Sequence, residues 1–123
     1  MNDYGKELVL DLHDCNIEKF NRKDLTLFFK ELCELIDMER EDLHFWDYTE
    51  IPEEERPTEA HLLGTSAVQF IKTSNVTIHT LDILKHVYIN VFSCKDFDVN
   101  VASVFIAAFF NGSIVNKKEL RRI

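Results

Sequence analysis

Gly64-Thr65-Ser66-Ala67-Val68-Gln69-Phe70-Ile71-Lys72-Thr73-Ser74-Asn75-Val76-Thr77-Ile78-His79-Thr80 is the stretch from which the fold can be read. Two apolar-rich runs, Ser66 to Ile71 and Val76 to Thr80, flank a short polar break. Each has the length and β-branched content of a strand, and so close a break joins antiparallel neighbours. With Thr73-Ser74 as a two-residue turn, Lys72 pairs with Asn75, Phe70 with Thr77 and Val68 with His79. Side chains alternate along a strand, and paired residues share a face. Ser66, Val68, Phe70, Thr77 and His79 then point the same way, with Ser66 diagonal to His79. Thr-Ser is an awkward pair for a tight hairpin, and an awkward turn is a place to look for stored strain.

Working outward, a third strand follows at Val87 to Phe92, and the parity of Tyr88, Asn90 and Phe92 carries Cys94 to the same face. The pattern allows Ser66, His79 and Cys94 to converge near the Ser74 turn. Upstream, Glu7 to His13 alternates loosely as a strand. Asn21 caps a helix with Asp24 three residues on; Leu25, Phe28, Phe29, Leu32 and Ile36 form its apolar face, with Cys33 in the core beside them. Leu43 to Tyr48 is a short aromatic strand. Glu50 to Ala60 is a loop with both prolines and five acidic residues. Downstream, Asp98 or Asn100 opens a second helix with Val101, Val104, Phe105, Ala108 and Phe109 on one face. Asn111-Gly112 stops it, and a last strand starts at Ser113. This order predicts an α+β fold: a two-layer sandwich, an antiparallel sheet with two helices packed on one face.

The length, 123 residues, suits one domain spanning 1–123, since neither half could bury a core alone. A domain of this size gains from an oligomer interface. Apolar residues are 46% of the chain, ten of them Phe, but no run approaches the roughly 20 residues of a membrane span. Met1 to Lys6 has no apolar signal core, so the expected location is cytoplasmic, with no membrane partner. A net charge of −8 and the lack of a basic, aromatic-laced stripe argue against a nucleic-acid partner. Lys117 to Arg122 reads as a solvated terminal strand. Cys15, Cys33 and Cys94 have neither disulfide-framework nor zinc spacing, and no metal is expected.

Ser66, Ser74, His79 and Cys94 each have an ordinary structural reading when taken alone. Their joint spacing, with Gly5-Lys6-Glu7-Leu8-Val9-Leu10-Asp11-Leu12 as a first strand, resembles the prokaryotic S-adenosylmethionine decarboxylase family. The resemblance covers most of the chain and is strongest from Gly64 to Cys94. It implies a self-cleaving proenzyme of polyamine biosynthesis, cut between Thr73 and Ser74 into residues 1–73 and 74–123. Ser74 attacks the preceding carbonyl, and an ester forms and eliminates. Loss of ammonia leaves a pyruvoyl cofactor, which forms a Schiff base with the substrate amine. The resemblance gives His79 a general acid-base role, Ser66 the stabilisation of the oxyanion and Cys94 the protonation of the product. It also implies a homodimer of cleaved protomers and a small amino-acid-type substrate.

The sequence departs from the family at specific places. Thr73-Ser74-Asn75 replaces Glu-Ser-His. Leu81-Asp82-Ile83 stands where the family has Trp-Pro-Glu, with the glutamate on the ribose hydroxyls. The adenine-stacking aromatic falls near Ala60-His61. Asp82 and His61, or Trp46, are the candidate replacements in substrate binding. Loss of nucleoside contacts beside intact cofactor machinery leaves two substrates open, S-adenosylmethionine and a basic amino acid such as ornithine or arginine. A third reading is an unprocessed homologue that binds a partner.

Overall fold

The computed structural model describes residues 3–123. The chain forms β1 (Gly5–His13), α1 (Arg22–Leu35), β2 (Arg40–Trp46), β3 (Gly64–Ile71), β4 (Ser74–Leu81), β5 (His86–Ser93), α2 (Val99–Phe110) and β6 (Ser113–Arg122). The six strands make one sheet in the order β2-β3-β4-β5-β1-β6, with every neighbouring pair antiparallel. Both helices pack on one face, so the expected α+β two-layer architecture holds.

Period-two alternation explains the layering. Leu8, Leu10 and Leu12 of β1, Val76 and Ile78 of β4, and Val87, Ile89 and Val91 of β5 all face the helices and are fully buried or nearly so. The residues between them are half-exposed on the opposite, uncovered face. Helix α1 supplies Leu25, Phe28, Phe29, Leu32 and Cys33 to the core, as its spacing predicts. Its start is fixed by Asn21, whose Oδ1 accepts from the Asp24 amide at 2.8 Å while its Nδ2 donates to the Asp24 carboxylate at 2.7 Å. Asp98 caps α2 by accepting from the amides of Asn100 and Val101 at 2.9 and 3.0 Å. Buried Gln69 donates to the carbonyls of Glu41 and Asp42, filling a break in the β2–β3 register.

Three sequence expectations are corrected. The tight turn is Lys72-Thr73, because Ile71 pairs with Ser74 and Ser66 pairs directly with His79. The slip is two residues in the pairing sum, so the shared face survives. The α2 face also differs: Ala102, Ser103, Ile106 and Phe110 are buried, while Val101 and Val104 are exposed. That helix is apolar on nearly every side, so periodicity alone does not choose its inward face. The aromatic strand begins at Arg40 and stops at Trp46, short of Tyr48.

β6 is exposed along its whole length, as the reading of Lys117 to Arg122 anticipates. Among the described residues, no helix is long and apolar enough to cross a membrane.

Candidate active site

The Lys72-Thr73 turn brings together four chemically useful side chains at one end of the sheet. Thr73 has φ +57°, a left-handed conformation that a β-branched residue rarely adopts. The strain, on the order of 1–3 kcal/mol, therefore sits at the residue whose carbonyl would be attacked. Ser74 opens β4 with only 7% of its surface exposed. Its Oγ accepts a hydrogen bond from the Cys94 amide at 3.0 Å, which fixes the hydroxyl beside the Thr73–Ser74 bond. Cys94 lies one residue beyond β5, and its Sγ is 3.1 Å from Thr73 Oγ1. Tyr4, just before β1, donates from its phenol to the Thr73 carbonyl oxygen at 3.4 Å. A cleft of ≈ 490 Å³ adjoins them, with Asp37, Glu39, Thr73 and Cys94 in its wall. Lys95 closes part of that wall by donating to Asp37 Oδ2 at 2.6 Å.

Hydrogen bonds from Thr73 and Ser74, with a smaller contribution from Tyr4, hold the Cys94 thiol below its ordinary pKa. Burial pushes Cys15 and Cys33 the other way, each to about 11. The thiolate is the nucleophile, so a lowered pKa raises reactivity at neutral pH and a raised one suppresses it. At about pH 8, iodoacetamide is expected to label the exposed Cys94 ahead of both others in the folded chain. Equal labelling at all three, read by peptide mass, would contradict this arrangement.

Ser66 and His79 form a second centre. They stand opposite each other on β3 and β4, with Ser66 Oγ 2.7 Å from His79 Nδ1. Trp46, His61, Ser66 and His79 line a cleft of ≈ 260 Å³. Trp46 is 60% exposed and sits beside Ser66 in the β2–β3 ladder, so His61 and Trp46 are both where a ligand of this pair would meet them. The expected convergence on Ser74 does not occur within one chain. His79 is five residues along β4 from Ser74, about 16 Å in an extended strand. Both centres nevertheless lie along the same hairpin, and Ser66 and His79 belong to the face the helices leave uncovered.

Asp82 joins neither centre. Just beyond β4, its amide donates to the Leu63 carbonyl at 3.0 Å, and it lines a third cleft with Arg22, Asp47, Arg56 and Thr65. Its Oδ1 is buried without a partner, and burial raises its carboxyl pKa. The chain turns at the end of β4, and Asp82 shares its cleft with Phe20 and Thr65 rather than with His61. Ile83 is half-exposed in the same turn. The carboxylates beside Thr73 and Cys94 are Asp37 and Glu39, from the α1–β2 connection, rather than those of the 50–60 loop.

Sequence reading missed Tyr4, Asp37 and Glu39. Tyr4 reaches the turn because β1 pairs with β5, Lys6 opposite Ser93. That long-range pairing has no local signal. Gly5 permits it, since a side chain there would collide with the Ser93 carbonyl.

A model of the S-adenosylmethionine decarboxylase family matches residues 6–123. The S-adenosylmethionine decarboxylase proenzyme of Oceanobacillus iheyensis is 27% identical over 124 residues, covering 99% of this chain and 89% of that protein. The crystal structure of the adenosylmethionine decarboxylase from Aquifex aeolicus superposes with a TM-score of 0.77. It is 17% identical, over 99% of this chain and 92% of the other, a likeness of fold. The match across nearly the whole length, carried on this sheet and these two helices, makes the chain a member of the S-adenosylmethionine decarboxylase family.

Proposed function

We propose that this chain is a pyruvoyl-dependent decarboxylase that makes its cofactor from Ser74. The carrying observation is the geometry of the Thr73–Ser74 bond: a left-handed Thr73, a Ser74 hydroxyl pinned by the Cys94 amide, and a thiol beside both. These residues fit a pyruvoyl group at position 74, where its carbonyl supplies an electron sink for loss of carbon dioxide. Cys94 delivers the proton that replaces the lost carboxylate, and the cleft walled by Thr73 and Cys94 admits the substrate.

The test is a denaturing intact mass of the wild-type chain. Fragments 1–73 and 74–123 are expected, the second lighter by one ammonia than simple hydrolysis requires. A chain that stays whole on long incubation would turn the assignment to an unprocessed homologue.

The site is completed by a second copy of the chain. Ser66 on β3 and His79 on β4 lie too far along the hairpin to serve their own Ser74, and they stand on the sheet face the helices leave uncovered. A second copy packed on that face about a two-fold axis, the isologous arrangement of most dimers, would set the Ser66–His79 pair of one copy at the turn end of the other's hairpin, where Ser74 opens β4. His79 then moves protons at the Ser74 hydroxyl and Cα, while Ser66 hydrogen-bonds the developing oxyanion. Sedimentation at twice the mass of one chain is expected. A monomer that cleaves at full rate would remove the basis for this arrangement.

Two substrates follow from two observations. Trp46 beside Ser66 and His79 offers a flat aromatic surface for a nucleobase, which favours S-adenosylmethionine. Ile83, where the family has a ribose-binding glutamate, and the Glu39 carboxylate in the cleft beside Cys94, where Asp37 is held by Lys95, favour a basic amino acid. Decarboxylation assays on both types decide: activity on S-adenosylmethionine alone sinks the second reading, and activity on ornithine or arginine alone sinks the first.

A further inference from the structure

We infer that Tyr4 is a catalytic residue of the self-cleavage, donating its phenolic hydrogen bond to the oxyanion that forms on the Thr73 carbonyl oxygen. The inference rests on the reading of Ser74 as a self-processing serine and adds a group to it. Among the described residues, Tyr4 is the side chain that donates to this carbonyl, from Oη at 3.4 Å. Its position is built rather than incidental. The ring packs against Phe92, with centroids 6.1 Å apart, and the side chain lines a cleft that Gly5 and Cys94 share. Close approach at Gly5 lets the start of β1 lie against the end of β5, which delivers both Tyr4 and Cys94 to the turn.

The chemistry places a demand at this oxygen. The Ser74 hydroxyl loses its proton and Oγ bonds to the Thr73 carbonyl carbon, whose oxygen becomes negative. The carbon–nitrogen bond to Ser74 then breaks, the nitrogen takes up a proton, and the carbonyl re-forms as an ester. No other reactant is consumed up to this point. A phenolic hydroxyl is a hydrogen-bond donor, and this one already points at the oxygen on which charge develops. A donor that is loose on the ground-state carbonyl tightens as charge and bond length grow there, which is the condition for stabilising a transition state rather than the starting chain. The Ser66 of the same chain, about 16 Å away along the hairpin, cannot fill this role; the Ser66–His79 pair of a second copy would act beside Tyr4, not instead of it.

Tyr4→Phe keeps the ring against Phe92 and removes only the hydroxyl. Loss of one oxyanion donor costs about 100-fold or more at a tight site; at this looser contact, cleavage at least about tenfold slower than wild type is expected, with an unchanged melting temperature. Cleavage is followed by intact mass from freshly refolded full-length chain. Hydroxylamine, which cuts esters and spares amides, separates the steps: the Tyr4→Phe precursor is expected to resist it, having stalled before the ester. Wild-type cleavage rate in Tyr4→Phe overturns the inference while leaving self-processing at Ser74 intact. A slowed precursor that hydroxylamine cuts also overturns it, by placing Tyr4 after the acyl shift. A wild-type chain that never cleaves removes the underlying reading, and this inference with it.

Discussion

A Ser74→Ala chain is expected to stay whole indefinitely and to lose decarboxylase activity by at least about a thousandfold, because no side chain remains from which the electron sink can be made. The fold should survive. Ser74 sits at the strand end, and the substitution gives up one hydrogen bond, from the Cys94 amide, worth about 1 kcal/mol. The variant is therefore informative when mixed with His79→Ala. Alone, His79→Ala lacks the group that moves protons for Ser74. In a mixed two-fold assembly, its intact Ser74 faces the intact Ser66–His79 pair of the Ser74→Ala chain. Cleavage of the His79→Ala chain is expected only in the mixture, and the Ser74→Ala chain should remain uncut there. Two unbroken chains after mixing would mean that the pair does not act across copies. Normal cleavage of either variant alone would remove that residue from the mechanism.

The largest expected effect on stability is at Phe28. Its side chain is fully buried, and its ring is 5.0 to 5.9 Å from those of Phe29, Phe105, Phe109 and Phe110. It is the point where α1 meets α2 above the sheet. Phe28→Ala removes the apolar surface and leaves a cavity that the surrounding rings, anchored on two helices, cannot fill by collapse. The expected cost is about 3–5 kcal/mol, a large part of the 5–15 kcal/mol of a typical domain. Urea unfolding should show the midpoint falling with little change in slope. A loss under about 1 kcal/mol would mean the aromatic cluster repacks freely. The site should suffer only indirectly, since Phe28 lies on the helix side of the sheet and the Ser66–His79 pair on the other.

The elements and their layering were legible because they rest on local periodicity. Alternation along β3, β4 and β5 marks one buried and one uncovered face, and the Asn21 and Asp98 caps mark helix starts through side chains adjacent in sequence. The shared face of Ser66 and His79 was legible for the same reason: parity survives a two-residue slip in the turn. The turn itself was not, since Lys72-Thr73 puts a β-branched residue at positive φ and local preference argues against it. Nor was the inward face of α2, where apolar residues surround the helix and only the Phe28 cluster chooses a side.

The candidate site residues divide in the same way. Ser66, Ser74, His79 and Cys94 stand out through spacing and resemblance. Their separation into two centres about 16 Å apart, and the arrival of Tyr4, Asp37 and Glu39 beside Thr73, came only with the tertiary structure. Pairing of β1 with β5 joins residues as far apart in the chain as Lys6 and Ser93. Such contacts depend on how the strands order themselves in the sheet, a property of the whole core that no local stretch of the chain encodes.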